Sequence, residues 1–464
     1  MAWKPAQSEA FALTGALLYD SRLQPKMTPS IRLKLILMMV LQFFIWGAWY
    51  PLIFGYLPSV GFSPAEQTWI LSTFPVAAII GMFFSNQFAD RNFAAERFLA
   101  ASHLIGGAAM VALFWTHTFW PFFFFMLVHC LLYVPTISIT NSIAFAQMKD
   151  AQKEFGIVRM GGTIGWIMAA WPMTFILVDW AKVNATQTTG FVDWLGTVLG
   201  AGLTGPALQA GTRWTFVVAG VASFVLAAFS LILPHTPPKP VASGANKFAW
   251  LEALRLLAAP FIMVLWIVTF IDSTVHNLFF NWTGSFLGTP TAAGGVGIPG
   301  NWIMPVMSIG QIAEISTMAI LGVTLKRFGW RTTMILGIMG HAARFAVFAF
   351  FPQFKATIIL INVIHGVAYA FFFATVYIFV DEFFPKDVRA SAQGLFNLMI
   401  LGLGPLVANV IGPQLMGVTF ATATGVNFRS LFLVPLSMAI VAALLLALAF
   451  HPPAKAQPPV SVRH

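Results

Sequence analysis

Runs of about 20 apolar residues recur along the chain, and short polar segments that carry most of its charge separate them. A helix of roughly 20 residues is long enough to cross the hydrocarbon core of a bilayer. Each run therefore predicts a membrane-spanning helix. The predicted spans are centred near Phe44, Ala78, Ala108, Leu131, Met168, Ser223, Ile267, Glu314, Ile338, Ala368, Leu403 and Met438. The pattern thus predicts an all-α integral membrane protein with twelve transmembrane helices.

The longest polar interruption in this series lies between the sixth and seventh spans. It runs from His235 to Asn246 and is rich in proline. The next segment, Phe248 to Ala258, has the composition of a short interfacial helix. The pattern therefore divides the chain into two six-helix halves. The predicted boundaries are a cytoplasmic N-tail over 1–33, a first half over 34–234, a cytoplasmic linker with an interfacial helix over 235–258, a second half over 259–451 and a cytoplasmic C-tail over 452–464.

The composition agrees with a membrane environment. Of the 464 residues, 58% are hydrophobic and only 9% are charged, whereas soluble domains carry roughly 25% charged residues. The 25 basic residues exceed the 15 acidic ones, but they do not cluster on one solvated face, so nucleic-acid binding is not expected. The single cysteine, Cys130, lies in an apolar run and is expected to be inert. The apolar patch Ala10 to Leu18 lacks a basic segment directly before it, so we predict no signal peptide.

The basic residues of the loops predict the orientation in the membrane. If the tails and the even-numbered loops are cytoplasmic, twenty Lys and Arg residues lie on that side and four on the other. Arg344 remains inside a span. Cytoplasmic loops are enriched in Lys and Arg, so we predict a multi-pass protein of the inner (cytoplasmic) membrane with both termini in the cytoplasm.

Two loops at equivalent positions of the halves carry a related motif. The loop after the second span ends in S-N-Q-F-A-D-R at Arg91, and the loop after the eighth reads G-V-T-L-K-R-F-G-W-R up to Arg331. Both resemble the G-x-x-x-D-R-x-G-R motif of the major facilitator superfamily. The candidate cytoplasmic gate residues are Asp90, Arg91, Gly322, Arg327, Gly329 and Arg331. Each loop alone is explained equally well as an ordinary basic loop, but two copies predict this fold, in which substrate binds near the membrane midplane.

Two carboxylates, Asp272 and Glu314, lie deep inside predicted spans. Glu314 sits in the middle of the apolar stretch from Trp302 to Leu325, with Gln311 one helical turn before it. A charge at that depth costs several kcal/mol and by default marks a substrate or ion site. A buried carboxylate can also exchange a proton near neutral pH. The alternative is a structural ion pair, for example between Glu314 and Arg344.

Other polar residues inside the spans recur at helical spacing. Asp272 and His276 form an i, i+4 pair, as do His365 and Tyr369. Further polar or aromatic positions on shared helix faces are Arg159, Thr163, Trp166, Thr274, Asn277, Asn281 and Ser308. Each has an ordinary alternative: hydrogen bonding between helices, core packing, or, for Arg159, snorkelling to the interface. As a lining, these residues suit a neutral polar solute with an aromatic part.

Several strings resemble the nucleoside:proton symporter family of the superfamily. They are R-M-G-G-T-I-G-W from Arg159 to Trp166 and S-I-G-Q-I-A-E from Ser308 to Glu314. The segments beginning at Gln42, Tyr133 and Val388 are similar too, so the likeness covers about residues 34 to 450. The resemblance implies a nucleoside site lined by Arg159, Thr163, Trp166, Asn277, Gln311, Glu314, His365 and Tyr369.

The resemblance breaks next to Tyr369. Family members carry an Asp directly after this position that is implicated in proton coupling, whereas this chain has Ala370. Coupling then falls to Glu314, or to Asp272, or is absent. Thr274 stands where the family has a Gln, and Trp166, His365 and Tyr369 replace other aromatic residues. These differences leave the base preference open.

We therefore predict a secondary active transporter that imports nucleosides by proton symport with alternating access. The alternatives are an uncoupled facilitator, a symporter for sugars or other neutral metabolites, and, from another class, a non-transporting membrane sensor. An enzyme is not expected, since the sequence shows no metal-ligand cluster, nucleophile–base pair or cofactor loop. The expected partners are a nucleoside, protons and the lipid bilayer, with no cofactor, no metal and a monomeric state.

Overall fold

The computed structural model describes residues 28–81, 93–148, 151–238, 255, 257–384 and 389–452. This part of the chain is almost entirely helical. Its strands form one short antiparallel hairpin, β1 (Ala421–Thr422) with β2 (Gly425–Val426). The predicted N-tail, most of the predicted linker helix from Phe248 to Ala258, and the C-tail lie outside the described residues, as do Asp90 and Arg91.

The helices up to residue 238 alternate between long and short segments. The long helices are α1 (Pro29–Ser59), α2 (Pro64–Ile80), α3 (Ala95–Ala112), α4 (Phe119–Ala146), α5 (Ala151–Ile176) and α9 (Trp214–Ser230). The short ones, which connect α5 to α9, are α6 (Trp180–Ala185), α7 (Phe191–Gly200) and α8 (Gly205–Thr212).

Several of the helices after residue 257 are joined by π-helical turns. They are α10 (Pro260–Gly288), α11 (Gly300–Phe350), α12 (Lys355–Leu360), α13 (Ile364–Ala368), α14 (Thr375–Phe383), α15 (Arg389–Asn397), α16 (Gly404–Gln414) and α17 (Phe428–Ala449). Wider π-helical turns join α13 to α14 (Tyr369–Ala374), α15 to α16 (Leu398–Leu403) and α16 to the hairpin (Leu415–Thr419).

Local sequence signals start the first helices. Thr28 caps α1 by accepting a hydrogen bond from the backbone N–H of Ile31 (3.3 Å), and Pro29 follows in the first turn. At α2, Ser63 and Glu66 form a reciprocal capping box, with the Glu66 carboxylate 2.8 Å from the Ser63 backbone nitrogen. Both devices satisfy N–H groups that a helix start leaves without partners.

Among the described residues, nine helical segments are long and apolar enough to cross a membrane. They are Pro29–Ser59, Ala95–Trp115, Phe119–Ala146, Gly205–Ser230, Pro260–Gly288, Gly300–Phe350, Lys355–Phe383, Ala392–Thr419 and Phe428–Ala449. The predicted all-helical, multi-pass architecture is therefore confirmed. The count of twelve and the division into halves remain predictions.

Helix α11 is too long for a single crossing. Its 51 residues would extend about 76 Å at 1.5 Å per residue, more than twice the hydrocarbon thickness of roughly 30 Å. Gly329 interrupts it with φ 72° and ψ 176°, a left-handed backbone that favours glycine. Two helical parts, 300–328 and 330–350, therefore meet at this residue, as the separate spans predicted around Glu314 and Ile338 require.

A buried polar network joins α1, α3, α4 and α9. The Gln42 amide donates to the Thr136 hydroxyl (2.9 Å) and accepts from His103 Nε2 (3.0 Å), while His103 Nδ1 lies 2.9 Å from the Ser223 hydroxyl. Tyr133 donates to the backbone carbonyl of Gln42 (2.6 Å). The hydrophobic effect contributes little to helix association inside lipid, so close packing and such hydrogen bonds hold these helices together.

A second network connects helices that are far apart in sequence. The Tyr50 hydroxyl of α1 donates to Asn277 of α10 (2.6 Å), and Asn277 donates to Asn409 of α16 (2.8 Å). Asn409 in turn donates to the Leu71 carbonyl of α2 (2.9 Å). We call these four residues the Tyr50–Leu71 latch. It ties α1 and α2 to α10 and α16.

Candidate functional site

Glycines bring the helices with the predicted site residues into close contact. On α5, a Cβ at Gly161 would lie 2.7 Å from the Ile36 carbonyl oxygen, and Gly165 lies equally tightly against Val40 of α1. On the other side, Gly310 of α11 packs on the His365 ring, where a Cβ would lie 2.7 Å from the His365 Cβ. Small residues at such positions allow membrane helices to approach closely. Since α5 also packs against α11, both sets of residues face one region.

An aromatic group connects the two sides of this region. The Trp166 ring lies 5.9 Å from the Phe280 ring, and Phe280 lies 6.1 Å from the His365 ring, both edge to face. Trp46 of α1 meets Trp166 at 5.2 Å, and its buried indole N–H has no hydrogen-bond partner among the described residues. The sequence prediction included Trp166 and His365 but missed Trp46 and Phe280. Both could have been found from the sequence. Phe280 lies four residues after His276, on the same helix face, and Trp46 lies in the family-like string that begins at Gln42.

Arg159 and Glu314 both face this region. Arg159 on α5 stacks its guanidinium over the Phe43 ring at 4.1 Å. Glu314 on α11 is half-buried, and the Arg159 charge acts on it. Within the described part of the chain, neither side chain forms a hydrogen bond or an ion pair within 4 Å. Thr163, one turn after Arg159, is also half-buried, and its hydroxyl forms no hydrogen bond to another described residue. These groups are available to a ligand.

Gln311 and His365 contact each other directly. The Gln311 amide lies 3.2 Å from His365 Nε2, and its Oε1 atom is buried without a partner in the described residues. Tyr369 lies one turn after His365, half-buried, with its ring 6.0 Å from that of His276. The two side chains of the predicted i, i+4 pair differ in their surroundings: His365 is 2% exposed and bonded on both ring nitrogens, whereas Tyr369 is only partly buried.

Asn277 lies beside this region but is fully occupied in this conformation. Its carbonyl oxygen accepts from Tyr50, and its amide donates to Asn281 (3.2 Å) and Asn409. Thr274 donates to the Phe270 carbonyl of its own helix (2.9 Å). In this conformation Asn277 therefore bonds other helices, whereas Thr274 bonds only its own helix among the described residues. Their roles toward a substrate remain predictions.

A cluster of buried ionisable groups lies behind Gln311, and the sequence prediction found only part of it. Asp272, His341 and Arg344 are all 0% exposed. Both Asp272 oxygens, both His341 ring nitrogens and two Arg344 nitrogens lack hydrogen-bond partners among the described residues. Arg344 acts on Asp272 electrostatically, yet its direct contact is His365 Nδ1 at 2.6 Å. Arg344 therefore does not form the ion pair with Glu314 that was one alternative. The sequence could have indicated this cluster, because His341 and Arg344 lie three residues apart on one face of a predicted span.

The sequence profile of the nucleoside H+ symporter family matches residues 29–208 and 188–455 of the chain. These two matches together cover nearly all of the described helices. This chain belongs to the nucleoside H+ symporter family. The predicted family is confirmed, and so is the prediction of a transporter instead of an enzyme.

Relatives of this symporter extend over most of its length. YegT of Escherichia coli strain K12, a provisionally named nucleoside transporter, is 32% identical over 402 residues, which is 85% of this chain and 86% of YegT. The xanthosine permease of the same organism is 27% identical over 450 residues, covering 92% and 98% of the two chains. The crystal structure of the nucleoside transporter NupG shares the fold with a TM-score of 0.73 and 22% identity, covering 91% of this chain and all of NupG.

The predicted cytoplasmic gate of this symporter is described only in part. Asp90 and Arg91 lie outside the described residues. Gly322 and Gly329 have no atom within 4 Å of an added Cβ, and the guanidinium of Arg327 lies 5.4 Å from the Phe328 ring. Arg327 and Arg331 contact no acidic side chain within the described ranges. The gate motif therefore remains a prediction from the sequence.

Proposed function

We propose that this protein imports nucleosides across the inner membrane by proton symport. The observation that carries the proposal is that Arg159 and Glu314 face one region from α5 and α11, each without a hydrogen bond or ion pair to another described residue. Beside them lie the Trp166 ring and the Gln311 amide, one end of which has no hydrogen-bond partner among the described residues. Aromatic rings can stack on a nucleobase, an amide can bond its edge, and a carboxylate can accept from sugar hydroxyls. The names of the relatives support the same substrate class.

We further propose twelve spans in two six-helix halves that alternate access by rocking. The nine apolar helical segments, the division of α11 at Gly329, and the helices α2 and α5 together supply them. With both termini in the cytoplasm, the C-terminal end of α1 and the N-terminal end of α11 lie on the outer side. The Tyr50–Leu71 latch and the Trp302 indole bond to Leu199 (2.8 Å) lie toward those ends. This conformation is then closed to the outside.

Glu314 and Asp272 are the proposed proton carriers. Glu314 reaches the region where substrate would bind, whereas Asp272 lies fully buried beside Arg344. Ala370 supplies no carboxylate next to Tyr369, so coupling rests on these two residues. Protonation of Glu314 would remove the charge that attracts Arg159 and so alter the contact between α5 and α11. The proton and the substrate, which would both bind at Glu314, would in this way act on the same contact between α5 and α11.

The test is uptake of labelled uridine or adenosine by proteoliposomes under an inward proton gradient. The variant Glu314→Gln keeps the shape of the side chain but cannot take up or release a proton, so gradient-driven accumulation should fall to the level seen without a gradient. Asp193→Asn, the same change at an exposed carboxylate of α7, should accumulate nucleoside normally. Undiminished accumulation by Glu314→Gln would remove Glu314 from coupling. Thermal stabilisation by hexoses and by no nucleoside would overturn the substrate class.

A further inference from the structure

A row of three buried side chains ends at the Gln311 amide. Arg344 Nη1 lies 2.6 Å from His365 Nδ1, and His365 Nε2 lies 3.2 Å from the Gln311 amide group. Arg344 is 0% exposed, His365 2% and Gln311 7%. The row joins the 330–350 part of α11 through α13 to the 300–328 part of α11. Its two contacts determine where the protons lie.

The first contact determines the tautomer of His365. A guanidinium carries only N–H donors and no acceptor. His365 Nδ1 must therefore accept from Arg344, which leaves the ring proton on Nε2. An imidazolium would place a second N–H donor against the guanidinium, so the ring is neutral in this arrangement. His365 can act neither as a proton carrier nor as a free hydrogen-bonding ligand while Arg344 holds it.

The second contact determines the orientation of the Gln311 amide. The His365 Nε2–H needs an acceptor, and the amide oxygen of Gln311 is the acceptor within reach. Amide oxygen and nitrogen are nearly indistinguishable in shape, so their assignment follows from the hydrogen-bond network. In the opposite orientation two N–H donors would face each other, and the buried oxygen would have no partner in the described residues. The oxygen therefore faces His365, and the NH₂ group takes the buried position that has no partner among the described residues.

We infer that the Arg344–His365–Gln311 row makes Gln311 a hydrogen-bond donor, and never an acceptor, toward the substrate. A Gln side chain without such a contact would rotate its amide to suit either a carbonyl or an amino group. Here the site should prefer nucleosides that present a carbonyl oxygen over those with an amino group at the same ring position. Arg344 thereby determines specificity as a positioning residue that does not touch the substrate. This inference rests on the proposed nucleoside function.

The preference is tested by binding to the purified protein at mildly alkaline pH, below the range in which the ring N–H groups of uridine and inosine ionise. Uridine is compared with cytidine, and inosine with adenosine, because within each pair an amino group replaces a carbonyl and the adjacent ring nitrogen changes from donor to acceptor. A mismatched buried donor costs about 1–3 kcal/mol, so in one or both pairs the carbonyl form should bind about fivefold to 150-fold more tightly. Equal affinities in both pairs would overturn the preference and leave nucleoside transport intact. Failure of every nucleoside to bind would contradict the proposed function instead.

Two variants separate this explanation from a general effect on the site. Gln311→Glu still accepts from His365 Nε2–H, but its second oxygen is an acceptor, so the order of affinities should reverse. His365→Phe frees the Gln311 amide to rotate, so the affinity ratio should fall toward one. Gln353→Glu, the same change at an exposed position, should leave the ratio as in the wild type. An unchanged ratio in Gln311→Glu would overturn the inference.

A measurement without substrate tests the row itself. The ¹⁵N signals of His365 can be assigned in histidine-labelled protein by their loss in His365→Phe. We expect an unprotonated Nδ1 and a protonated Nε2 that persist through roughly pH 5–8, the range in which a free histidine titrates. A protonated Nδ1, or titration of the ring within this range, would overturn the row whatever the binding results.

Discussion

At the scale of single residues, glycines decide whether the binding groups can meet. A Cβ on Gly366 of α13 would collide with the backbone of α11 at Glu314 and Ala313. Backbone atoms cannot turn aside as the end of a long side chain can. Gly366→Ala should therefore push α13 from α11, at a cost of about 1–3 kcal/mol for overpacking, and separate His365 from Gln311. Thermal unfolding in detergent and nucleoside affinity should both show the loss.

Gly156→Ala is the matched control. Gly156 is exposed on α5, and an added Cβ there has no atom within 4 Å. Alanine is favoured over glycine inside a helix by up to about 1 kcal/mol, so this variant should be as stable as the wild type or slightly more stable. A similar loss in both variants would show that close approach at Gly366 is not the cause.

Sequence reasoning at this scale finds chemical groups but not their partners. Glu314 and Asp272 were identified because a carboxylate inside an apolar run is costly. That Arg344 bonds His365 and not Glu314 depends on how α13 crosses α11, and no spacing along the chain encodes it. Asn277 likewise was predicted as a ligand contact, although Tyr50 and Asn409, distant in sequence, occupy it in this conformation.

At the scale of helices, the network around His103 should account for much of the cohesion of α1, α3, α4 and α9. His103 bonds Gln42 and Ser223 and is 1% exposed. His103→Leu would leave the Gln42 amide oxygen buried without the bond from His103, which costs about 1–3 kcal/mol, whereas Ser223 would keep its bond to the backbone carbonyl of residue 103. We expect a lower unfolding temperature and an unchanged preference among nucleosides, because the network lies apart from Gln311.

His117→Leu makes the same chemical change at an exposed position beyond the end of α3. It should leave the unfolding temperature unaltered. If His103→Leu unfolds at the temperature of this control, the bonds to Gln42 and Ser223 contribute nothing measurable, and apolar packing alone holds these helices together.

Apolar length and charge predicted the existence of the spans well, but not their internal irregularities. The break at Gly329 follows from a Gly in a basic loop between two apolar runs. The π-helical turns at Tyr369–Ala374 and Leu398–Leu403 were not predicted, since an extra residue in one turn leaves the hydrophobic composition unchanged. One of these turns begins at Tyr369, so the altered winding affects where the side chain of this predicted site residue points.

At the scale of the whole molecule, the contacts between early and late helices are unevenly distributed. The latch joins α1 and α2 to α10 and α16, and the Asn301 amide of α11 bonds the Leu199 carbonyl of α7 (3.2 Å). By contrast, Arg159 and Glu314 remain unpaired among the described residues. Alternating access requires the first set of contacts to open when the second region closes. The energy of the latch should therefore set how often the closed end opens.

Tyr50→Phe tests this relation because it removes one hydroxyl and keeps the ring. Tyr50 donates to Asn277 across the latch (2.6 Å), and a buried bond of this kind contributes about 1 kcal/mol, so the open population should rise about fivefold. A cysteine at Ser285, whose hydroxyl lies against Gly55 of α1, reports opening through its labelling rate in a Cys130→Ala background. Tyr133→Phe removes a buried hydroxyl whose bond among the described residues goes to the Gln42 carbonyl, outside the latch, and should not change this rate. Equal labelling in Tyr50→Phe and in the parent would mean that packing, not the latch, keeps this end closed.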